Sequence, residues 1–377
     1  MNFKVPLFKI YWDQDDINSV NEIIKSGEYW ADGKKIQEFE DEIAKYIGVK
    51  YAVSFNSGTS ALHSILLTYN IKSKEVIVPS FTFISTANSV ILAGGKPVFA
   101  ESEGDTYGLD IESVEEKITN KTKAIIPLHY GGLTSRDIYE IKEIAKDNNI
   151  LVIEDAAESI GSEYKGQKAG SIGDSAMFSF CQNKIITSGE GGVIVTNSKK
   201  IYKKLRLIRS HGRVDSKNNN YFSSTREMKY IDIGYNFRMP TMNAALGLSQ
   251  LKKINRIIKL RREKADYYNK KFRQLSDIKL PIEKKYQKHV YQLYTIQFDK
   301  KRNRDKIQKH LFNNGIMTKV YFYPIHLKFY YRKTYGYKKS DLPNTEKISE
   351  KVLTLPLYPS LKNEKIDYII DLIKEVY

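Results

Sequence analysis

Lys184 stands in a polar, glycine-rich segment, FSFCQNKIITSGEGGVIVTN, directly behind a short apolar run of strand length. An earlier apolar run, LVIEDAAESIG, ends in Asp155. A strand-end amine and a strand-end carboxylate are the two groups that pyridoxal 5'-phosphate (PLP) requires. The amine forms a Schiff base with the cofactor aldehyde, and the carboxylate keeps the pyridine nitrogen protonated so that the ring accepts electrons.

Further polar residues fall where strands end. Ser57-Gly58-Thr59 follows YAVSF and opens the helix SALHSILL; free N–H groups at a helix N-terminus, with glycine allowing close backbone approach, suit a phosphate, although S-G-T is also a common plain N-cap. Phe81-Thr82-Phe83 follows VIVP, and an aromatic ring there is either core or a plate stacked on the pyridine face. Glu154, Asp155 and Glu158 form a close acidic group at a buried strand terminus, where an unpaired carboxylate is costly. Ser179 can donate to the phosphate. The lysine precedes the glycines, and the nucleotidase pattern G-x-x-x-x-G-K-[ST] is absent.

The elements that must position these groups alternate. Strand-length apolar runs at YAVSF, VIVP, PVFA, AIIPL, LVIE, SAMFSF and GVIVT are separated mostly by helix-length segments such as Ser60–Tyr69, Ile138–Lys146 and Lys199–Ser210. The pattern predicts parallel strands with crossover helices, an α/β sheet covered on both faces whose ligands gather beyond the carboxyl ends of the strands. After Pro240 it changes to one long helix, a strand at HVYQLYTIQF, a helix over Arg304–Asn313, a strand at MTKVY and a closing helix from Glu364. The reading is residues 1–240 as an N-terminal arm and large α/β domain, and 241–377 as a long connecting helix and small α+β domain. The arm, with a helix over Asp16–Lys25, is expected to pack with the small domain.

A chain of 377 residues has room for both units. Cys181 is the only cysteine and the six histidines are scattered, so a metal site is not expected. The net charge of +17 invites a nucleic-acid reading. The densest basic stretch, Lys252–Arg273, carries apolar residues at helical spacing and reads as an amphipathic helix; the remaining alternative is a positive field for an anionic small molecule such as a nucleotide-linked substrate. The uncharged stretch Val76–Gly95 is broken by Pro79 and six polar residues, which predicts soluble strand-turn-helix rather than a membrane span. The start lacks a secretory pattern, and a cytoplasmic location is expected.

From GEYWADGKKIQEFE through NSGTSALH, VIVPSFTFISTANSV, IIPLHYGG, VIEDAAESIGSEYKGQKAGSIGD, FSFCQNKIITSGEGGVIVTN, IGYNFRMPTMNAALGLSQL and HVYQLY to LPLYPSL, the chain resembles the DegT/DnrJ/StrS family of sugar aminotransferases. The resemblance implies the fold type I (aspartate aminotransferase-like) architecture, α/β with a mostly parallel sheet. It also implies amino transfer from glutamate, released as 2-oxoglutarate, to a nucleotide-linked keto sugar. By the same resemblance Lys184 matches the Schiff-base lysine, Asp155 the acid on the pyridine nitrogen, Ser57, Gly58, Thr59 and Ser179 the phosphate site, and Phe83 the stacking ring. Asn236 matches an asparagine that reaches the neighbouring subunit's cofactor phosphate, which implies a homodimer with shared active sites. Lys184 speaks against the deoxysugar dehydratase branch, where histidine replaces it. Glu158, with NKIITSGEGG, looks most like GDP-perosamine synthases and similar C4 aminotransferases; a C3 aminotransferase and a non-catalytic PLP-binding regulator are the alternatives. VFAESEGD and Cys181 depart from the family pattern. Trp30, Glu158 and His326 are candidates for the sugar-nucleotide side, and each could equally be packing.

Overall fold

The computed structural model describes residues 3–214, 227–275, 277–281 and 283–376. Helices α1 (Gln14–Ser26) and α2 (Lys34–Ile47) lead into β1 (Tyr51–Phe55), α3 (Gly58–Thr68), β2 (Glu75–Pro79), α4 (Ser85–Leu92), β3 (Lys96–Ala100), α5 (Ile111–Lys117), β4 (Thr122–Ile125), α6 (Ile138–Asp147) and β5 (Leu151–Asp155). A small hairpin of β6 (Glu163–Tyr164) and β7 (Gln167–Lys168) precedes β8 (Ser175–Ser179), β9 (Gly192–Thr196) and α7 (Lys199–Arg209). These form a seven-stranded sheet in the order β1-β9-β8-β5-β4-β2-β3.

Successive side chains on one strand feed cores on opposite faces. Ala52, Ala176, Phe178, Val193 and Val195 pack with α2, whereas Val53, Phe55, Met177 and Ile194 pack with α3 and α4. Coverage of both faces explains the nearly continuous apolar runs. One strand departs from the parallel expectation: β9 runs antiparallel to both β8 and β1. The segment joining β8 to β9 contains no helix. Without a crossover the chain can only return in the opposite direction. Lys184 lies in this return. The carboxyl ends of β1, β2, β5 and β8 therefore open on one edge.

The remainder comprises α8 (Thr241–Lys252), α9 (Ile254–Phe272), β10 (Ile278–Lys279), β11 (Gln287–Lys288), β12 (Tyr294–Phe298), α10 (Lys301–Asn313), α11 (Phe329–Tyr335), α12 (Pro343–Lys351), β13 (Val352–Leu355) and α13 (Asn363–Lys374). A second sheet has the order β10-β12-β13, and β11 joins the β6–β7 hairpin. The one long helix expected after Pro240 is two, broken at Lys253 (φ −108°, ψ 8°), whose ammonium is drawn to Asp13 and, at 3.1 Å, to Asp16 of α1. The strand expected at MTKVY is reduced to single bridges, Ile316 to Val5 and Lys319 to Thr354.

The passage between cores falls inside α9 rather than at Pro240. Ala244, Leu248, Ile254 and Ile258 share the core of Phe39 and Phe178, while Ala265, Tyr268 and Phe272 share that of Tyr294, Leu353 and Ile369. The N-terminal arm divides in the same way: Val5 enters the second core, and Asp16 of α1 binds Ser249 and Gln250 of α8. Among the described residues no helix is long and apolar enough to cross a membrane, and no group of three or more potential metal ligands occurs.

Candidate active site

The strand ends converge on an open cleft of about 460 Å³. Ser57, Gly58, Thr59, Phe83, Asp155, Glu158, Ser179 and Lys184 all line it. First-turn amides of a helix have no acceptor within the helix. In α3 the Ser57 hydroxyl caps the amide of Ser60 at 3.1 Å, and Gly58 and Thr59 face the cleft. A side chain at 58 would lie 3.1 Å from Ser179 Cβ, and one at 192 only 2.4 Å from the Ser57 carbonyl oxygen. The two glycines let the segments at Ser57, Ser179 and Gly192 approach one another closely beside the cleft.

Asp155 ends β5 at the cleft floor with 3% exposure. Its Oδ2 accepts from the Thr86 hydroxyl at 2.8 Å and its Oδ1 from the Ala157 N–H at 3.2 Å. Burial raises its pKa above the ordinary value, against the lowering pull of those hydrogen bonds and of the Lys184 charge. Lys184 Nζ lies 3.5 Å from Glu158 Oε1, and the other oxygen of Glu158 accepts the Gly131 N–H at 2.9 Å. The Gln292 side-chain amide donates to the Asn183 carbonyl at 2.6 Å, which fixes the backbone beside the lysine. The Phe83 ring is 59% exposed on the cleft wall, 6.4 Å from that of Phe322. Cys181 also lines the cleft; burial and then Glu190 push its thiol up.

Glu154 does not belong to the acidic group its sequence neighbours suggest. It faces the other side of β5, fully buried, and accepts from His129 Nε2 at 2.8 Å and from the amides of Gly170, Ile172 and Gly173 at 2.7, 2.8 and 2.6 Å. These donors hold its pKa below the ordinary value despite burial, which acts in the opposite direction. Ser135 N–H donates to His129 Nδ1 at 3.1 Å, so the imidazole proton is on Nε2. The pair fixes the chain on either side of the site, since His129 N–H also donates to the Asp155 carbonyl at 3.0 Å.

Residues 11–374 match the DegT/DnrJ/EryC1/StrS aminotransferase family. The chain belongs to this family. It is 36% identical to GDP-perosamine synthase of Escherichia coli O157:H7 over 99% of this chain and 98% of that one. PseC of Helicobacter pylori, an aminotransferase involved in the biosynthesis of pseudoaminic acid, superposes with a TM-score of 0.90 at 29% identity, covering 100% of this chain and 99% of that one. The PLP form of the putative sugar aminotransferase Spr1654 of Streptococcus pneumoniae gives 0.89 at 28%, covering 100% and 98%. This protein is a PLP-dependent aminotransferase of the DegT family. Its cleft suits that cofactor: a buried carboxylate disfavoured as an anion by its surroundings, an amine within reach, and a helix N-terminus bared by close backbone packing.

Three sequence candidates stand outside this chain's cleft. Asn236 is exposed and bridges Ser210. Trp30 is 48% exposed and donates its indole N–H to the Ile23 carbonyl at 3.1 Å. His326 is fully buried, with Nδ1 2.7 Å from the Ser80 hydroxyl and Nε2 3.1 Å from Glu346, so both ring nitrogens are engaged behind the wall and neither faces a substrate. Conversely, Thr86, Phe8, Glu190, Lys319, Tyr321 and Phe322 reach the site unannounced. Only Thr86 carried a signal: it sits in the polar first turn after a strand already placed at the site.

Proposed function

We propose that the protein is a homodimeric, cytoplasmic sugar aminotransferase that moves an amino group from glutamate to C4 of a nucleotide-linked 4-keto-6-deoxyhexose, releasing 2-oxoglutarate. The observation that carries the reading is Lys184 held beside Glu158 in a cleft whose floor is Asp155. The C4 position rests on Glu158 and on 36% identity to a GDP-perosamine synthase.

Bound PLP supplies an aldehyde for amine exchange and a ring that accepts the electron pair left by a departing proton. Asp155 stays ionised against the ring's positive nitrogen, and Thr86 fixes that carboxylate's direction. Gly58, Thr59, Ser57 and Ser179 would hold the phosphate, and Phe83 would cover the ring. Lys184 Nζ would anchor the cofactor and, as a free amine, would take the proton from the donor's α-carbon. Glu158 Oε1, 3.5 Å from Nζ, keeps the free amine close to the reacting carbon. The same proton movement in reverse serves the keto sugar. Asn236, exposed and outside its own cleft, reaches the partner's phosphate site in the dimer.

The test is the absorbance spectrum of the PLP-loaded protein before and after glutamate. Loss of the visible band with growth of a near-ultraviolet band is expected, followed by its return on addition of a keto-sugar nucleotide. Lys184→Ala should retain cofactor and lose both changes; normal turnover in that variant sinks the assignment. Nitrogen found at C3 of the product would refute the C4 reading alone.

A further inference from the structure

We propose that Lys319 is the residue that captures the diphosphate of the nucleotide-linked substrate at the mouth of the cleft, a deepening that rests on the nucleotide-sugar reading above. The charged residues lining the cleft are Asp155, Glu158, Glu190, Lys184 and Lys319. Lys184 is paired with Glu158. The lining thus offers an anionic substrate one uncompensated cation, because among the described residues no carboxylate lies within ion-pair distance of Lys319. A chain of +17 draws anions towards its surface generally, but within this cleft the lining alone leans negative.

The backbone of Lys319 is fixed while its head is free. Its N–H donates to the Thr354 carbonyl at 3.2 Å and its carbonyl accepts from Thr354 N–H at 2.8 Å. The ammonium lies 4.6 Å from the centre of the Tyr321 ring, which also lines the cleft. That contact orients the side chain without neutralising it. The residue is therefore a charge preset at a known place, not a wandering surface lysine.

Position decides which anion it serves. The donor's α-carboxylate is attached to the carbon that gives up its proton to Lys184, so its partner must stand on the buried floor beside Nζ. In a hexose aminated at C4, the diphosphate leaves from C1, across the ring from the reacting carbon. Asp155 is 3% exposed and the Lys184 side chain 14%, whereas Lys319 is exposed at the rim. The geometry matches the distant anion.

Titration calorimetry of the PLP-loaded enzyme with GDP, UDP and dTDP, set beside single-turnover reaction with glutamate, tests this. Lys319→Met keeps the apolar stem at an exposed position and should weaken the nucleoside diphosphate that binds wild type by about 10- to 100-fold, the loss typical of one charge-assisted contact. Lys319→Arg should recover most of that affinity, and the glutamate half-reaction should be unchanged in both. Unchanged nucleotide affinity in Lys319→Met overturns the proposal while leaving the enzyme's function intact. Weakened glutamate saturation with unchanged nucleotide affinity overturns it in favour of a donor-carboxylate role. Wild type that binds none of the three nucleotides overturns this proposal and the nucleotide-sugar reading together.

Discussion

Replacing Asp155 with asparagine should move the stability of this protein in opposite directions with and without PLP. In the cofactor-free chain the carboxyl is 3% exposed and its pKa is raised by burial. A raised folded value means that the folded state binds more protons than the unfolded one above the ordinary range of ~3.9. The ionised group therefore costs stability at neutral pH, and that cost fades as pH falls through the raised value. An amide removes it with little new loss. Oδ1 can keep the Ala157 N–H at 3.2 Å, and the Thr86 hydroxyl can turn to accept, because Thr82 Oγ1 stands 3.2 Å away as an alternative partner. With PLP bound, the same substitution strips a buried cation of its counter-charge, a loss of ~3–5 kcal/mol. That corresponds to about 10²- to 4 × 10³-fold in dissociation constant, and it reduces the stabilisation a fixed PLP concentration confers. Urea midpoints at pH 7 with and without PLP, and PLP titrations in a Lys184→Ala background that removes the covalent anchor, measure both halves. A cofactor-free Asp155→Asn protein less stable than wild type, together with undiminished PLP affinity, would refute the reasoning.

Glu154→Gln should destabilise the fold by ~3–5 kcal/mol, because the amide NH₂ must face two of the four donors the carboxylate now satisfies; a urea-midpoint shift worth under ~1 kcal/mol would contradict it. Since the Glu154 pKa is lowered in the folded state, wild type should hold this contribution above the ordinary glutamate value of ~4.3 and lose it as pH falls through the lowered one. The Gln variant should lack that acid limb in denaturation profiles. Gly192→Ala puts a methyl 2.4 Å from the Ser57 carbonyl oxygen, costs ~1–3 kcal/mol by overpacking, and should shed PLP on gel filtration. Gly104→Ala, with nothing within 4 Å, is the control that should retain it.

The strand ends were legible because the information is local. An apolar run followed by a polar or glycine-rich turn marks where a side chain emerges, and Ser57, Phe83, Asp155, Ser179 and Lys184 all meet in one cleft on that rule. The same locality explains the single reversed strand. Apolar content says that β9 is buried on both faces, yet its direction depends on whether the preceding segment is long and helical enough to cross over, and SGEGG is neither. The break at Lys253 was hidden for a different reason, since amphipathic periodicity runs straight through it and the partners, Asp13 and Asp16, lie at the other end of the chain.

What sequence proximity misassigned, geometry separates by elementary rules. Glu154 and Asp155 are adjacent, but successive strand residues face opposite sides, so one carboxylate belongs to the cleft and the other to the scaffold behind it. His326 has the residue type of a catalytic group, and it is bonded through both nitrogens to Ser80 and Glu346. A buried imidazole with no free nitrogen can neither take nor give a proton to a substrate, whatever its sequence surroundings. Lys319 is the converse: a lysine in an unremarkable stretch, pinned to Thr354 by two backbone bonds that deliver a free charge to the rim of a site built almost wholly by the other half of the chain. One wall of the cleft can be read along the sequence because one sheet edge makes it, whereas Lys319, Tyr321 and Phe322 reach the same cleft from the second half of the chain.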